Sequence, residues 1–225
     1  MNGSLLRKYN LLCMLGVVAL LLVGTVSGAS AQEGGAAEAT VVCDGALTTA
    51  LAEGPHYLAG SPEQASLVED GMAGVRLLLT GVVLDPQCQP VAGARVDFWQ
   101  ADAAGVYDLQ GYTLRGHQYT DAAGRYALET VLPAPYGARP AHIHVKVFAP
   151  DDGAATGEEL LTTQLYFPDV SPQQTQDRFY AAENQVRVLE PETDGQMHAA
   201  YDFVVAYEQA AAAAPEKACG RDSRP

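Results

Sequence analysis

The strongest constraint on this chain is a succession of short β-prone runs separated by turn residues. Val75 to Asp85 (VRLLLTGVVLD) is dominated by aliphatic residues and stops at the punctuation of Pro86, Pro90 and Gly93. Ala94 to Gln100 (ARVDFWQ) and Arg125 to Val131 alternate apolar with polar residues, the period that places successive side chains on opposite faces of a strand. Glu159 to Phe167 (ELLTTQLYF), Val186 to Leu189 and His198 to Tyr207 continue the pattern, while no stretch carries a long amphipathic helical period. About seven or eight strands spaced by turns predict an all-β fold, a β-sandwich whose long loops carry any functional site. Pro62 to Glu69 reads as a short helical turn, Gly111 to Thr120 as an exposed loop or hairpin, and Ser171 to Asn184 as a long polar connection.

The stretch from Leu132 to Pro150 (LPAPYGARPAHIHVKVFAP) is the most informative for function. His142 and His144 are two residues apart, so on a strand both imidazoles leave the same face. Tyr136 and Arg139 stand just upstream between turn-forming Pro and Gly. Such a pair of histidines is either a metal site or a hydrogen-bonded packing pair, and the spacing alone does not choose.

The ends and the charge bound the setting. Arg7 and Lys8 precede an apolar run from Leu11 to Val23 and then Ala29-Ser30-Ala31, the layout of a secretory signal peptide over residues 1–31. The run is shorter than the ~20 residues a membrane-spanning helix needs. Residues 32–40 read as a flexible leader, 41–208 as the folded domain, and 209–225 as a low-complexity tail. Cleavage would leave Cys43, Cys88 and Cys219 in a secreted or periplasmic setting that permits disulfides, with the pairing open. The formal net charge of −14 argues against nucleic acid or an anionic membrane as partner. No P-loop or GxGxxG precedes a helix, so a nucleotide site has no support.

An all-β frame allows Tyr107, Tyr136, His142 and His144 to meet. Two imidazoles and two phenols make an N2O2 set without thiolate or carboxylate, suited to a hard, oxidised first-row ion such as Fe(III). The motifs DPQCQPVAGARVDFWQADAAGVYD, LRGHQYTDAAGRY and LPAPYGARPAHIHVKV, with EGPHYLAG upstream and LTTQLYF downstream, resemble in order the catalytic domain of the intradiol ring-cleavage dioxygenases. The likeness is closest to the protocatechuate-dioxygenase type and its secreted relatives. It implies Fe(III) held by Tyr107, Tyr136, His142 and His144, with Tyr136 as the displaceable ligand and internal base. It implies that Arg139 stabilises charge on the substrate and that Gln164 lines the pocket. A catechol would be cleaved by O2 between its hydroxyl-bearing carbons to a cis,cis-muconate-type product. The helical amino-terminal extension of the intracellular catechol enzymes is absent, which puts their dimer in doubt and leaves a homodimer open.

His56, His117 and His198 fall outside the matched ligand positions and read as surface or supporting residues, with His117 placed where it could line the pocket mouth. Trp99 reads as core. No second basic residue stands near the ligands in sequence to hold a ring carboxylate, so the leaning is to catechol, substituted catechols or plant phenols over protocatechuate. The alternative is a non-catalytic secreted β-sandwich of transthyretin-like kind that binds carbohydrate or serves adhesion.

Overall fold

The computed structural model describes residues 43–151, 157–167, 177–189 and 195–208. The expected signal peptide, leader and tail, and with them Cys219, lie outside the described residues. Among the described residues nine strands form, in the order β1 (Arg76–Leu84), β2 (Arg95–Gln100), β3 (Arg115–Tyr119), β4 (Arg125–Val131), β5 (His142–Phe148), β6 (Glu159–Tyr166), β7 (Arg187–Val188), β8 (Met197–Ala200) and β9 (Phe203–Val204). One sheet runs β4-β1-β8-β7, with β9 also pairing β1, and the other runs β3-β2-β5-β6. This is the all-β sandwich that the alternation predicts.

The core fills the space between the sheets. Leu77, Leu79 and Leu128 come from one sheet and Val96, Phe98, Ile143, Val145 and Val147 from the other, all fully buried in one cluster. Because β5 alternates strictly, this core face commits His142, His144 and Lys146 to the opposite face of the sheet. β2 does the same: Val96 and Phe98 face the core, while Trp99 joins Ala101, Tyr107 and Tyr57 in a separate cluster. The outer face of the second sheet is therefore buried too, under chain segments that bring in the site.

Two sequence expectations are corrected. Pro62 to Glu69 is extended, not a helical turn: the Gln64 N–H donates to the His117 carbonyl at 2.8 Å and the Leu67 N–H to the Glu129 carbonyl at 2.8 Å. Its local composition permits either conformation, and these two strand partners decide. Arg115–Tyr119, expected within an exposed loop or hairpin, is strand β3, paired antiparallel to β2. Its RGHQY sequence has no apolar alternation, and Leu67 and Gln64 pack over Gly116 instead. The strand number exceeds the expected one because β3 forms and because the single run expected over His198 to Tyr207 divides into β8 and β9, while β7 falls within the run expected over Val186 to Leu189. Cys43 pairs with Cys88 in a disulfide, fastening the start of the described chain to the turn after β1.

Candidate active site

The site is built on the outer face of β5 and β6. The segment around Glu53-Gly54-Pro55-His56 is stitched across it. Leu51 N–H donates to the Thr162 carbonyl at 2.9 Å, Gln164 Nε2 to the Ala52 carbonyl at 2.7 Å, and buried Lys146 Nζ to Glu53 at 2.9 Å and Glu159 at 2.6 Å. A Cβ at Gly54 would lie 3.3 Å from His144 Cε1, and its φ of +77° is one that side chains rarely adopt. The segment thus passes directly over the His144 imidazole. Trp99 stacks on the same ring, at 4.8 Å between centroids and an interplanar angle of 10°.

Two loops deliver the phenols. After β2, Asp102 Oδ1 accepts from the Ala104 and Val106 N–H groups at 2.8 and 2.9 Å, folding a turn that presents Tyr107 inward. The Asp102 carbonyl accepts from Ala134 N–H at 3.0 Å, and a Cβ on Gly105 would meet the Pro135 carbonyl oxygen at 2.3 Å. The loop carrying Tyr107 is therefore locked to the loop carrying Tyr136. The two rings meet edge to face with centroids 5.2 Å apart. Tyr107 is only 6% exposed, whereas Tyr136 is 37% exposed, so one phenol is fixed in the wall and the other stands at the opening.

Three of the four predicted ligands converge. His142 Nε2 lies 3.1 Å from His144 Nε2 and 3.3 Å from the Tyr107 hydroxyl. His142 Nδ1 faces the Pro140 carbonyl at 2.6 Å, which requires the proton on Nδ1 and leaves Nε2 as a lone pair directed at the cluster. Tyr136 lines the same cavity, but its hydroxyl sits 3.2 Å from His56 Nε2. Burial, then the Arg139 charge, lowers the His142 pKa to about 4; burial, His142 and Arg139 hold His144 well below the ordinary histidine value. Burial raises the Tyr107 pKa, against the pull of Arg139 and Arg115. Two neutral imidazoles with a phenol beside them form a donor set that a hard cation fits, since the cation would supply the charge that stabilises the phenolate. Among the described residues no three His, Cys, Asp or Glu cluster as a metal site, so this set depends on its tyrosines.

These shifts carry a sign. A histidine whose folded pKa is depressed binds a proton more readily when unfolded, so its contribution to stability is present above pH 6.5 and is lost as pH falls towards about 4. Metal-free protein should lose about 3 kcal/mol through His142 over that window. Thermal melts of chelator-treated protein between pH 7 and pH 4 check this, and a His142→Gln variant should show a shallower decline. A flat profile through that window would contradict the buried neutral imidazole.

Arg139 closes the site. Its Nε donates to Asp177 Oδ2 at 2.9 Å, its Nη2 to Gln164 Oε1 at 2.6 Å, and its Nη1 lies 3.2 Å from His142 Nε2. The Tyr166 hydroxyl donates to Gln164 Oε1 at 3.0 Å or to the Phe179 carbonyl at 2.8 Å, so Gln164 is held from both ends. Arg139, Gln164 and Phe179 border, with Tyr107, His142 and His144, a cavity of 310 Å³, at the small end for ligand pockets and of a size for one substituted ring.

Comparison with known proteins decides the family. A family model described as Dioxygenase matches residues 52–207. The chain belongs to the intradiol ring-cleavage dioxygenase family. It is 33% identical over 142 residues to catechol 1,2-dioxygenase of Acinetobacter baylyi, covering 50% of this chain and 44% of that one. It is 34% identical over 162 residues to hydroxyquinol 1,2-dioxygenase of a Rhizobium species, covering 60% and 49%. The chain thus spans about half the length of the curated relatives it matches. Among solved structures, the dioxygenase domain of a dioxygenase carbohydrate-binding protein fusion from Streptomyces sp. SirexAA-E superposes with a TM-score of 0.64 at 39% identity, over 71% of this chain and 97% of that one.

Within this site, several residues stand where the sequence did not put them. His117, expected near the pocket mouth, has Nδ1 3.1 Å from Ser61 Oγ and does not line the cavity. His56 does, stacked on Tyr107 at 4.5 Å. Trp99 is buried as expected, yet its ring backs a histidine of the site. A second basic residue, absent from the sequence reading, also lines the cavity: Arg178. The aromatic Tyr166 was legible in principle, because it is two residues after Gln164 on an alternating strand and so shares its face. His56, Asp177 and Arg178 lie on connections with no period to mark them.

Proposed function

We propose that this chain is a non-haem Fe(III) dioxygenase that cleaves a catechol-type ring between its two hydroxyl-bearing carbons with O2, giving a cis,cis-muconate-type product. The convergence of His142 Nε2, His144 Nε2 and the Tyr107 hydroxyl at the floor of a ring-sized cavity carries the reading. Tyr107, Tyr136, His142 and His144 would hold the iron. When bound, ferric iron supplies the charge that ionises the diol and renders the ring reactive towards O2.

The protein's own groups do the rest. Tyr136, the exposed one of the two, would be held as a phenolate by the iron and is the one free to leave; its phenolate oxygen would take one proton from an incoming diol and become the hydroxyl, 3.2 Å from His56 Nε2. Arg139, pinned by Asp177, keeps a positive charge against the ring as negative charge develops there. Gln164 orients that guanidinium, and Trp99 and the chain over Gly54 keep water from the His144 side. A carbohydrate-binding or adhesive module would have no use for this donor set. The disulfide between Cys43 and Cys88 supports secretion as the destination.

Iron-loaded protein should be burgundy-red from tyrosinate charge transfer and should change colour when catechol is added without oxygen. Tyr136→Phe should shift and weaken that band and slow oxygen uptake about 100-fold. Colourless iron-loaded wild type, inert towards catechols, would sink the dioxygenase reading; full colour and rate in Tyr136→Phe would remove only the assigned role of Tyr136.

A further inference from the structure

We propose that Arg178 is a specificity-determining residue that selects catechols bearing a carboxylate remote from the diol. The proposal rests on the dioxygenase reading above and adds the chemistry of the substrate's far end.

Among the described residues, the cavity lining contains two arginines, Arg139 and Arg178, and no carboxylate. Their surroundings differ. Arg139 is already engaged: Asp177 Oδ2 neutralises it at 2.8 Å, and Gln164 takes a further donor. Arg178 is exposed, and among the described residues it has no carboxylate partner; its guanidinium lies over the Phe179 ring at 4.4 Å. The same ring is 5.2 Å from the Arg139 guanidinium. An aromatic face orients a guanidinium without cancelling its charge, so the fork of donors stays available to a carboxylate.

The sequence explains the division of labour. Asp177 and Arg178 are neighbours of opposite charge, yet Asp177 turns to Arg139 while Arg178 borders the cavity. Asp177 Oδ1 also accepts from the Phe179 N–H at 3.0 Å, so the carboxylate that could have neutralised Arg178 is committed elsewhere. The chain carries a formal charge of −14, and its general field repels anions. A local cation at the opening of the cavity reverses that sign where an acidic substrate enters. The diol must meet Tyr107, His142 and His144 at the cavity floor, which leaves the substituent end of a single ring as the part that reaches Arg178. A carboxylate on the ring and one on a short side chain share this chemistry, and substrates of both kinds separate them.

The test uses the full iron-loaded chain, oxygen uptake with methylcatechol, protocatechuate and homoprotocatechuate, and oxygen-free titrations with para-hydroxybenzoate and para-cresol. In wild type, kcat/KM for at least one acid should exceed that for methylcatechol about tenfold or more, and para-hydroxybenzoate should bind more tightly than para-cresol. Arg178→Ala should lower the acid-to-neutral ratio at least about tenfold, through KM and not kcat, with a matching loss of para-hydroxybenzoate affinity. Arg178→Lys should retain part of the preference. Whichever acid loses more on Arg178→Ala identifies the position of the carboxylate. Turnover of methylcatechol with no acid preference, or a ratio unmoved by Arg178→Ala, overturns this proposal and leaves the dioxygenase reading intact. No colour and no turnover with any diol overturns both.

Discussion

Replacing His144 by alanine should yield a folded protein that holds no iron at equimolar metal and consumes oxygen with catechol at least about 1000-fold more slowly than wild type. The size follows from position. Loss of a group that merely supports a metal ligand costs 10- to 100-fold, and removal of a ligand itself exceeds that range. His144 Nε2 is 3.1 Å from His142 Nε2, so its deletion leaves one imidazole and the Tyr107 phenol at the point where the donors meet, with Tyr136 elsewhere on the cavity wall. The fold should survive, because the core on the other face of β5 is untouched. The vacated space beneath Trp99 and Gly54 should cost about 2 kcal/mol in the metal-free protein. Iron content after dialysis, oxygen uptake and thermal melts read these three quantities separately. His117→Asn is the control, since His117 lies off the cavity: it should bind iron at full stoichiometry. Full iron and full rate in His144→Ala would remove the donor set proposed for the site.

How far the sequence foretold this site depends on where each residue lies. His142 and His144 were legible because a strand has a period, and the apolar Ile143, Val145 and Val147 fix which face the histidines take. Gln164 follows by the same rule on β6, across from His144 in the antiparallel register. Tyr107 and Tyr136 needed the order of several motifs, since nothing local in a loop says where a tyrosine points. Asp102 and the contact of Gly105 with Pro135 set those directions, and both are tertiary features. His56 illustrates the limit. It sits in a turn-like GPHY segment where the sequence allows a surface or a supporting role; buried Arg115 holds the His56 carbonyl and turns the segment over the site, where His56 Nε2 meets the Tyr136 hydroxyl. Arg178 was hidden for a related reason: its distance from HIH in the chain says nothing of its distance in space. The missed strand β3 shows the converse, a segment whose pairing comes from its neighbours rather than from its own pattern.

Arg139→Ala should lower kcat about 100- to 1000-fold with a smaller change in KM, the mark of a charge used more by the reacting ring than by the bound one. The geometry makes the guanidinium unusually well held. Asp177 grips it through both Nε and Nη2, Gln164 takes Nη2, and Nη1 is left at 3.2 Å from His142 Nε2, facing the donor cluster. Arg139→Lys keeps a positive charge but cannot reproduce the planar fork that reaches Asp177 and Gln164 together, so it should recover only a minor part of the rate. Alanine also strands Asp177, whose side chain is 5% exposed, without its partner. Because Arg139 itself is 22% exposed, the resulting loss of stability is discounted for solvent to about 2 kcal/mol. Asp177→Asn separates the two effects. It leaves the arginine in place but loosens it, so kcat should fall about tenfold while iron content and the charge-transfer band persist. If Arg139→Ala raised KM at constant kcat, the arginine would be a binding residue only, and the stabilisation of ring charge would have to come from elsewhere in the cavity.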